Sequence, residues 1–146
     1  DFDLVNPEYI SKLKDYLKIS LNDDQFAQWI RKYFISFYNI PAWMEYLRRF
    51  DFIVGARIHG VMLAIQAGVP GLCIAHDSRI RELCEKCMIP YVMANDVKDG
   101  ITLKDLPHLV EFDGKAFDQN RHKIADQYQK FFADNGVSLP QSNILI

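Results

Sequence analysis

Apolar side chains recur along this chain with two different periods, and the change between them divides it into thirds. In the first third the spacing is helical. Asn6 and Pro7 suit an N-cap and a first helical position, and Ile10, Leu13 and Leu17 follow on one face. A second helix is predicted from Asn22 or Asp23, with Phe26, Trp29, Ile30, Tyr33, Phe34 and Phe37 as its apolar stripe. A third is predicted from Pro41 to Phe50, with Trp43, Leu47 and Phe50 inward. An aromatic stripe of this kind belongs to a core rather than to a cofactor box.

The middle third changes period. Asp51 to Ala56 is a short apolar run, which predicts a strand buried on both faces. Gly60 to Ala67 reads as a helix closed by Gly68, where a left-handed backbone is favoured, and Pro70 stops any continuation. Gly71 to Ala75 is a second buried strand. Ser78 to Cys87 is a helix with Ile80, Leu83, Cys84 and Cys87 on one side, and Pro90 to Ala94 is a third strand. This alternation predicts an α/β fold, a Rossmann-like parallel sheet flanked by helices.

In the last third a short helical turn is expected near Thr102 to Leu106. A long amphipathic helix is expected from Gly114 to Asp134, with Asp113 as N-cap and Phe117, Ile124, Tyr128 and Phe131 buried. Gly136 ends it, and residues 137–146 read as an edge strand or a loose tail. The reading is thus one domain over residues 1–146: a helical lead-in (1–50), a βαβαβ core (51–96), and a C-terminal helix and tail (97–146).

Composition changes this picture little. The 146 residues are 49% hydrophobic and 25% charged, as in a globular domain with a full core. A net charge of -2 and scattered basic residues argue against a general nucleic-acid binder. No apolar run is long enough to span a bilayer, and Asp1-Phe2-Asp3 is acidic where a secretory leader is basic. The chain begins without Met, so an excised fragment or processed product is expected. Cys73, Cys84 and Cys87 are an odd set, which suggests reduced thiols and a cytoplasmic location. Cys84 and Cys87 form one CxxC with no second ligand pair, so no metal is expected, and at least one of the two is read as core.

In open parallel sheets, ligands bind beyond the carboxyl ends of the strands. Arg57, His59 and Gly60 follow the first predicted strand; His76, Asp77, Ser78 and Arg79 follow the second; Asn95 and Asp96 follow the third. Polar chemistry therefore gathers at successive strand ends. Arg57 and His59 are two apart, so an extended turn sets them on the same side. Arg57 offers a fork for a carboxylate or phosphate, the helix start at Gly60 favours an anion, and His59 is a proton donor near neutral pH. The competing structural reading has Arg57 in a salt bridge and His59 capping the helix, and spacing leaves the two about even. Asp77 or Ser78 is equally an ordinary N-cap. Arg79 adds a second cation near the same crevice, which suits a dianionic ligand. Asn95 and Asp96 form a turn, and His108 and His122 lie outside the cluster. No dinucleotide fingerprint, Walker A motif or nucleophile elbow is found.

The stretch Trp43-Met44-Glu45-Tyr46-Leu47, followed by Asp51-Phe52-Ile53-Val54-Gly55-Ala56-Arg57-Ile58-His59-Gly60, resembles the polysaccharide pyruvyl transferase family. The likeness continues through Ala64, Ala67-Gly68-Val69-Pro70 and His76-Asp77-Ser78-Arg79. It is close over the middle third and looser in the flanking helices. The resemblance implies transfer of a pyruvyl group from phosphoenolpyruvate to two sugar hydroxyls as a cyclic ketal, in exopolysaccharide biosynthesis. It also implies the C-terminal half of a fold like that of two-domain GT-B glycosyltransferases, so an N-terminal half is expected outside this sequence and the isolated fragment is expected to be inactive. On that resemblance Arg57 would hold the phosphate or carboxylate of the donor. His59 would protonate the enol carbon or assist phosphate departure. Gly60, His76, Asp77, Ser78 and Arg79 would line the substrate. Arg79 stands where many relatives have Lys, which keeps the charge and alters its geometry.

No cofactor is then required beyond phosphoenolpyruvate as donor substrate, and the other partner is a saccharide acceptor. The expected location is cytoplasmic, at the periphery of the membrane where polysaccharide is assembled. Two other readings stand beside this one. A GT-B glycosyltransferase using a nucleotide sugar would need an acidic residue for the ribose, which Asp96 could supply, and a platform for the base. A non-enzymatic domain would only bind a sugar or a partner protein.

Overall fold

The computed structural model describes residues 7–138. The expected N-cap at Asn6 and most of the expected tail, residues 139–146, lie outside them. The chain divides into two compact units, with the boundary between Asn39 and Ile40.

The first unit is a pair of helices, α1 (Pro7–Leu17) and α2 (Asp23–Tyr33). Asn22 starts α2 with a capping box: its side chain accepts from Gln25 N at 2.9 Å, and Gln25 Oε1 accepts from Asn22 N at 3.2 Å. Lys14 pairs with Asp23. Ile10, Phe26 and Ile30 form the buried cluster, and Trp29 stacks on Phe26. The expected stripe is shorter in fact. α2 ends at Tyr33, so Phe34 and Phe37 fall beyond the helix, and Tyr33 and Phe34 are exposed.

The second unit begins with α3 (Ile40–Leu47), which the periodicity had grouped with the lead-in. Then follow β1 (Ile53–Gly55), α4 (Ile58–Gln66), β2 (Gly71–Ala75), α5 (Ser78–Cys87) and β3 (Tyr91–Met93). A 3-10 turn (Ala94–Val97), the short α6 (Leu106–Leu109) and the long α7 (Gly114–Asp134) complete it. The three strands form one parallel sheet in the order β1-β2-β3, with Gly55 opposite Cys73 and Ala75 opposite Met93. The α/β, Rossmann-like expectation is met.

The middle strand explains the core. β2 has a neighbour on each side and is buried almost throughout. β1 and β3 are the outer strands of this sheet, and they are only half covered. Val54 is 42% exposed, so the first strand is not buried on both faces as its composition suggested. Val61 of α4 packs where Gly71 and Gly55 leave room: a Cβ on Gly71 would meet Val61 Cγ1 at 2.9 Å. α4 contributes to two clusters, Leu47, Ala64 and Val69 on one side and Ile58, Val61, Cys73, Ile80 and Cys84 on the other. Each fully buried aliphatic side chain of this kind contributes roughly 1.5–3 kcal/mol.

Several inward assignments shift. Phe50 lies past the end of α3 and is exposed, with its ring edge-on to Tyr46. Leu83 is exposed on α5. The helical turn expected at Thr102–Leu106 is instead a loop pinned by Asp105, whose carboxylate accepts from Thr102 N and Oγ1, and the helix begins at Leu106. α7 has the expected bounds and cap, with Asp113 accepting from Ala116 N at 3.0 Å. Phe117 and Ile124 are half-buried, whereas Tyr128 and Phe131 are 59% and 60% exposed. The reason is length. A helix of 21 residues spans about 31 Å, and strands of at most five residues span about 17 Å.

Candidate functional site

The parallel sheet delivers two helix starts to one edge. β1 ends at Gly55, and after Ala56 and Arg57 the chain enters α4. β2 ends at Ala75, and after His76 and Asp77 it enters α5. Because β1 and β2 are adjacent and in register, these two turns are neighbours at the carboxyl edge. β3 is followed by the 3-10 turn that holds Asn95 and Asp96.

Arg57 is the N-cap residue of α4, with an extended backbone (φ -104, ψ 108), and no side chain caps the helix there. The helix begins at Ile58, two residues before the expected start. Ile58 is fully buried in the main cluster, and this anchors the first turn earlier than Gly60. Arg57 and His59 therefore do not share an extended segment. Arg57 lies at the cap and His59 is the second helical residue. Both side chains are exposed, and neither takes part in an ion pair or side-chain hydrogen bond among the described residues. Gly60 lies half-buried beneath the Trp43 ring: a Cβ there would be 3.4 Å from Trp43 Cζ2. Trp43, which periodicity assigned to the core, thus also covers the first turn of α4.

The second turn differs in one respect. Asp77 is the N-cap of α5, and its Oδ1 accepts from Ile80 N at 2.7 Å. Its Oδ2 lies 3.6 Å from His76 Nε2. The first turn of α5 thus has a side-chain cap, and that of α4 has none, although Gly60 N donates to Arg57 O at 3.2 Å. Ser78 and Arg79 are exposed beside it. Arg81 is engaged with Glu85, Nε to Oε1 at 3.7 Å.

The cysteines lie apart from this edge. Cys73 and Cys84 are fully buried, and Cys87 is half-buried. Burial pushes the Cys84 thiol up to about 12, helped by Cys73 beside it, and burial raises Cys73 and Cys87 as well. Cys84 is thus part of the core, and the half-buried Cys87 packs against the same cluster.

The polysaccharide pyruvyl transferase family model matches residues 3–78, just over half the chain. The chain belongs to that family. The match runs through β1, α4 and β2 and stops at the first residue of α5, so it includes Arg57, His59, Gly60, His76, Asp77 and Ser78 and excludes Arg79. A search of curated proteins and one of solved structures each give no match. As a polysaccharide pyruvyl transferase domain, the chain is related to transferases of polysaccharide biosynthesis, whose acceptor is a saccharide. Among the described residues no helix is long and apolar enough to cross a membrane.

Proposed function

We propose that the turns after β1 and β2 bind phosphoenolpyruvate and transfer its pyruvyl group to two hydroxyls of a saccharide as a cyclic ketal. The observation that carries this reading is the start of α4. Its first-turn N–H groups have no side-chain cap, and unengaged Arg57 and His59 flank them. Such a helix start favours an anion, and Arg57 adds a fork that fits phosphate or carboxylate. Asp77 already occupies the start of α5, so the donor phosphate belongs at α4. His76, Ser78 and Arg79 then line the far side of the donor, with Arg79 as the second cation for a ligand with two anionic groups.

The chemistry balances on these groups. His59, as imidazolium, protonates C3 of the enol. A saccharide hydroxyl adds to C2, and its proton returns the imidazole to the charged form. The C2–O bond to phosphate then breaks, the second hydroxyl adds to C2, and its proton leaves with the phosphate. Arg57 and the α4 amides stabilise the charge on the departing phosphate. The donor is already activated, so no further cofactor enters. The location that suits this role is cytoplasmic, at the membrane periphery.

Thermal denaturation with added ligands tests the reading, since a ligand that binds only the native state raises its stability. Phosphoenolpyruvate should raise the Tm, and a nucleotide sugar should not. The reverse pattern supports a GT-B glycosyltransferase and removes this proposal. A response to saccharide alone leaves only a binding domain.

A further inference from the structure

The end of α2 and the segment after it expose four large apolar side chains within six residues. Tyr33 is 58% accessible, Phe34 50%, Ile35 52% and Tyr38 80%. Single exposed apolar residues are ordinary on a protein surface, whereas a contiguous run belongs to a contact surface. The rings at the start of this run are held in place by the core of the first unit. Phe26 is buried there, Trp29 stacks on it, and Trp29 in turn meets both Tyr33 and Phe34 with ring centroids 5.7 Å apart. Phe34 N donates to Ile30 O at 2.8 Å, which ties the chain to the helix end where the run begins. The exposed rings are therefore an outward continuation of the core, set in position before any partner arrives.

The charges beside the run have one sign. Arg31 and Lys32 precede it and are exposed, and Lys32 Nζ lies 5.0 Å from the centre of the Tyr33 ring. No Asp or Glu occurs from Gln25 to Met44. Elsewhere in the unit, Glu8 is engaged by Lys12 and Asp23 by Lys14. A saccharide site would set carboxylates or amides beside its rings, and residues 31–39 offer only Ser36 and Asn39 as uncharged polar side chains besides the tyrosines. Tyr, Phe and Ile next to Arg and Lys is instead the composition of a segment that lies in the headgroup layer of a bilayer. There tyrosine rings bridge the apolar and the wet region, and bases meet lipid phosphates.

We propose that residues 31–38 dock on an anionic lipid surface. Phe34 and Ile35 enter the boundary between headgroups and acyl chains, and Arg31 and Lys32 pair with the lipid phosphates. The proposal is independent of the donor reading, because no residue of the two motif turns lies in this segment.

The test is sedimentation of the chain with vesicles of about equal parts phosphatidylglycerol and phosphatidylcholine, set against vesicles of phosphatidylcholine alone. Binding should be at least about tenfold tighter to the anionic vesicles and should weaken as salt is added. Arg31→Gln with Lys32→Gln should weaken it on the order of twentyfold, since each base near such a surface contributes about fivefold. Ile35→Asp, which places an acid within the run, should also weaken it about tenfold or more. Both variants change exposed side chains, and an unaltered far-ultraviolet spectrum and Tm show that they fold. Equal binding to the two kinds of vesicle, no binding to either, or anionic binding that neither variant weakens overturns the proposal. So does self-association of the chain that Ile35→Asp abolishes, in the absence of vesicle binding, which would make the run an interface between copies. If one variant fails to fold, the two kinds of vesicle with the unmodified chain and the other variant still decide.

Discussion

Gly60 and Gly71 are the same residue type in place for different reasons. At Gly71 a Cβ would lie 2.9 Å from Val61 Cγ1 and 3.3 Å from Ile53 O, so packing demands the glycine. Gly71→Ala should destabilise by about 1–3 kcal/mol, seen as a lower urea midpoint at unchanged slope. At Gly60 a Cβ would just touch the Trp43 ring. Gly60→Ala should leave stability unchanged or raise it by up to ~1 kcal/mol, because alanine is the better helix former. If the donor lies over the start of α4, the same methyl should weaken phosphoenolpyruvate binding in calorimetry; unaltered affinity would move the donor elsewhere. Cys84 sets a pH dependence. Its ordinary value is 9.0 and its folded value about 12, so the folded chain keeps a proton that the unfolded chain releases. Its contribution to stability is complete below pH 9 and is lost as pH rises from 9 to 12. Denaturant titrations across that range should show the decline, and Cys84→Ala should make it shallower, leaving the part that the buried thiols of Cys73 and Cys87 set. The burial of Cys84 was legible from its helical spacing. That Arg121 has a buried Nε without a hydrogen-bond partner among the described residues was not, because which charged side chain is left so depends on contacts between distant segments.

Helix ends were legible where a cap residue announces them. α5 and α7 begin after Asp77 and Asp113 and have the bounds the sequence predicts. α4 was placed two residues late because no cap precedes it; the burial of Ile58, a tertiary effect, sets its start. At its other end Gly68 (φ 81) donates to Ile65 O and Val69 donates to Ala64 O, the paired bonds of a Schellman turn. α5 closes in the same way with Met88 (φ 55) in the position where α4 has glycine, and Ile89 N donates to Cys84 O at 2.9 Å. A side chain in the left-handed region is strained by roughly 1–2 kcal/mol. Met88→Gly should therefore stabilise the chain by about 1 kcal/mol in thermal or urea unfolding; a destabilised variant would mean that the half-exposed Met88 side chain packs more usefully than its backbone is strained. The exposure of β1 was hidden for a related reason. An apolar run predicts a strand, but composition does not say which strand lies in the middle of the sheet.

At the scale of the whole chain, periodicity predicted one domain with a helical lead-in to residue 50, and the boundary between compact units falls at Asn39. The segment 34–39 has no regular structure and is largely exposed, with Phe34 and Tyr38 both accessible. Trace chymotrypsin should cut there first and leave a fragment of about 107 residues that keeps the far-ultraviolet signature of an α/β fold. Initial cleavage within 53–93 would contradict the assignment of the sheet to a separate unit. The two helix starts at the carboxyl edge also bear on how such a frame changes its ligand. Asp77 is a resident anion, held by the chain itself, at a position chemically equivalent to the open start of α4. If the proposed donor sits at the start of α4, this edge seats one phosphate, and replacing the Asp77 carboxylate by glycine would free the first N–H groups of a second helix start one strand away.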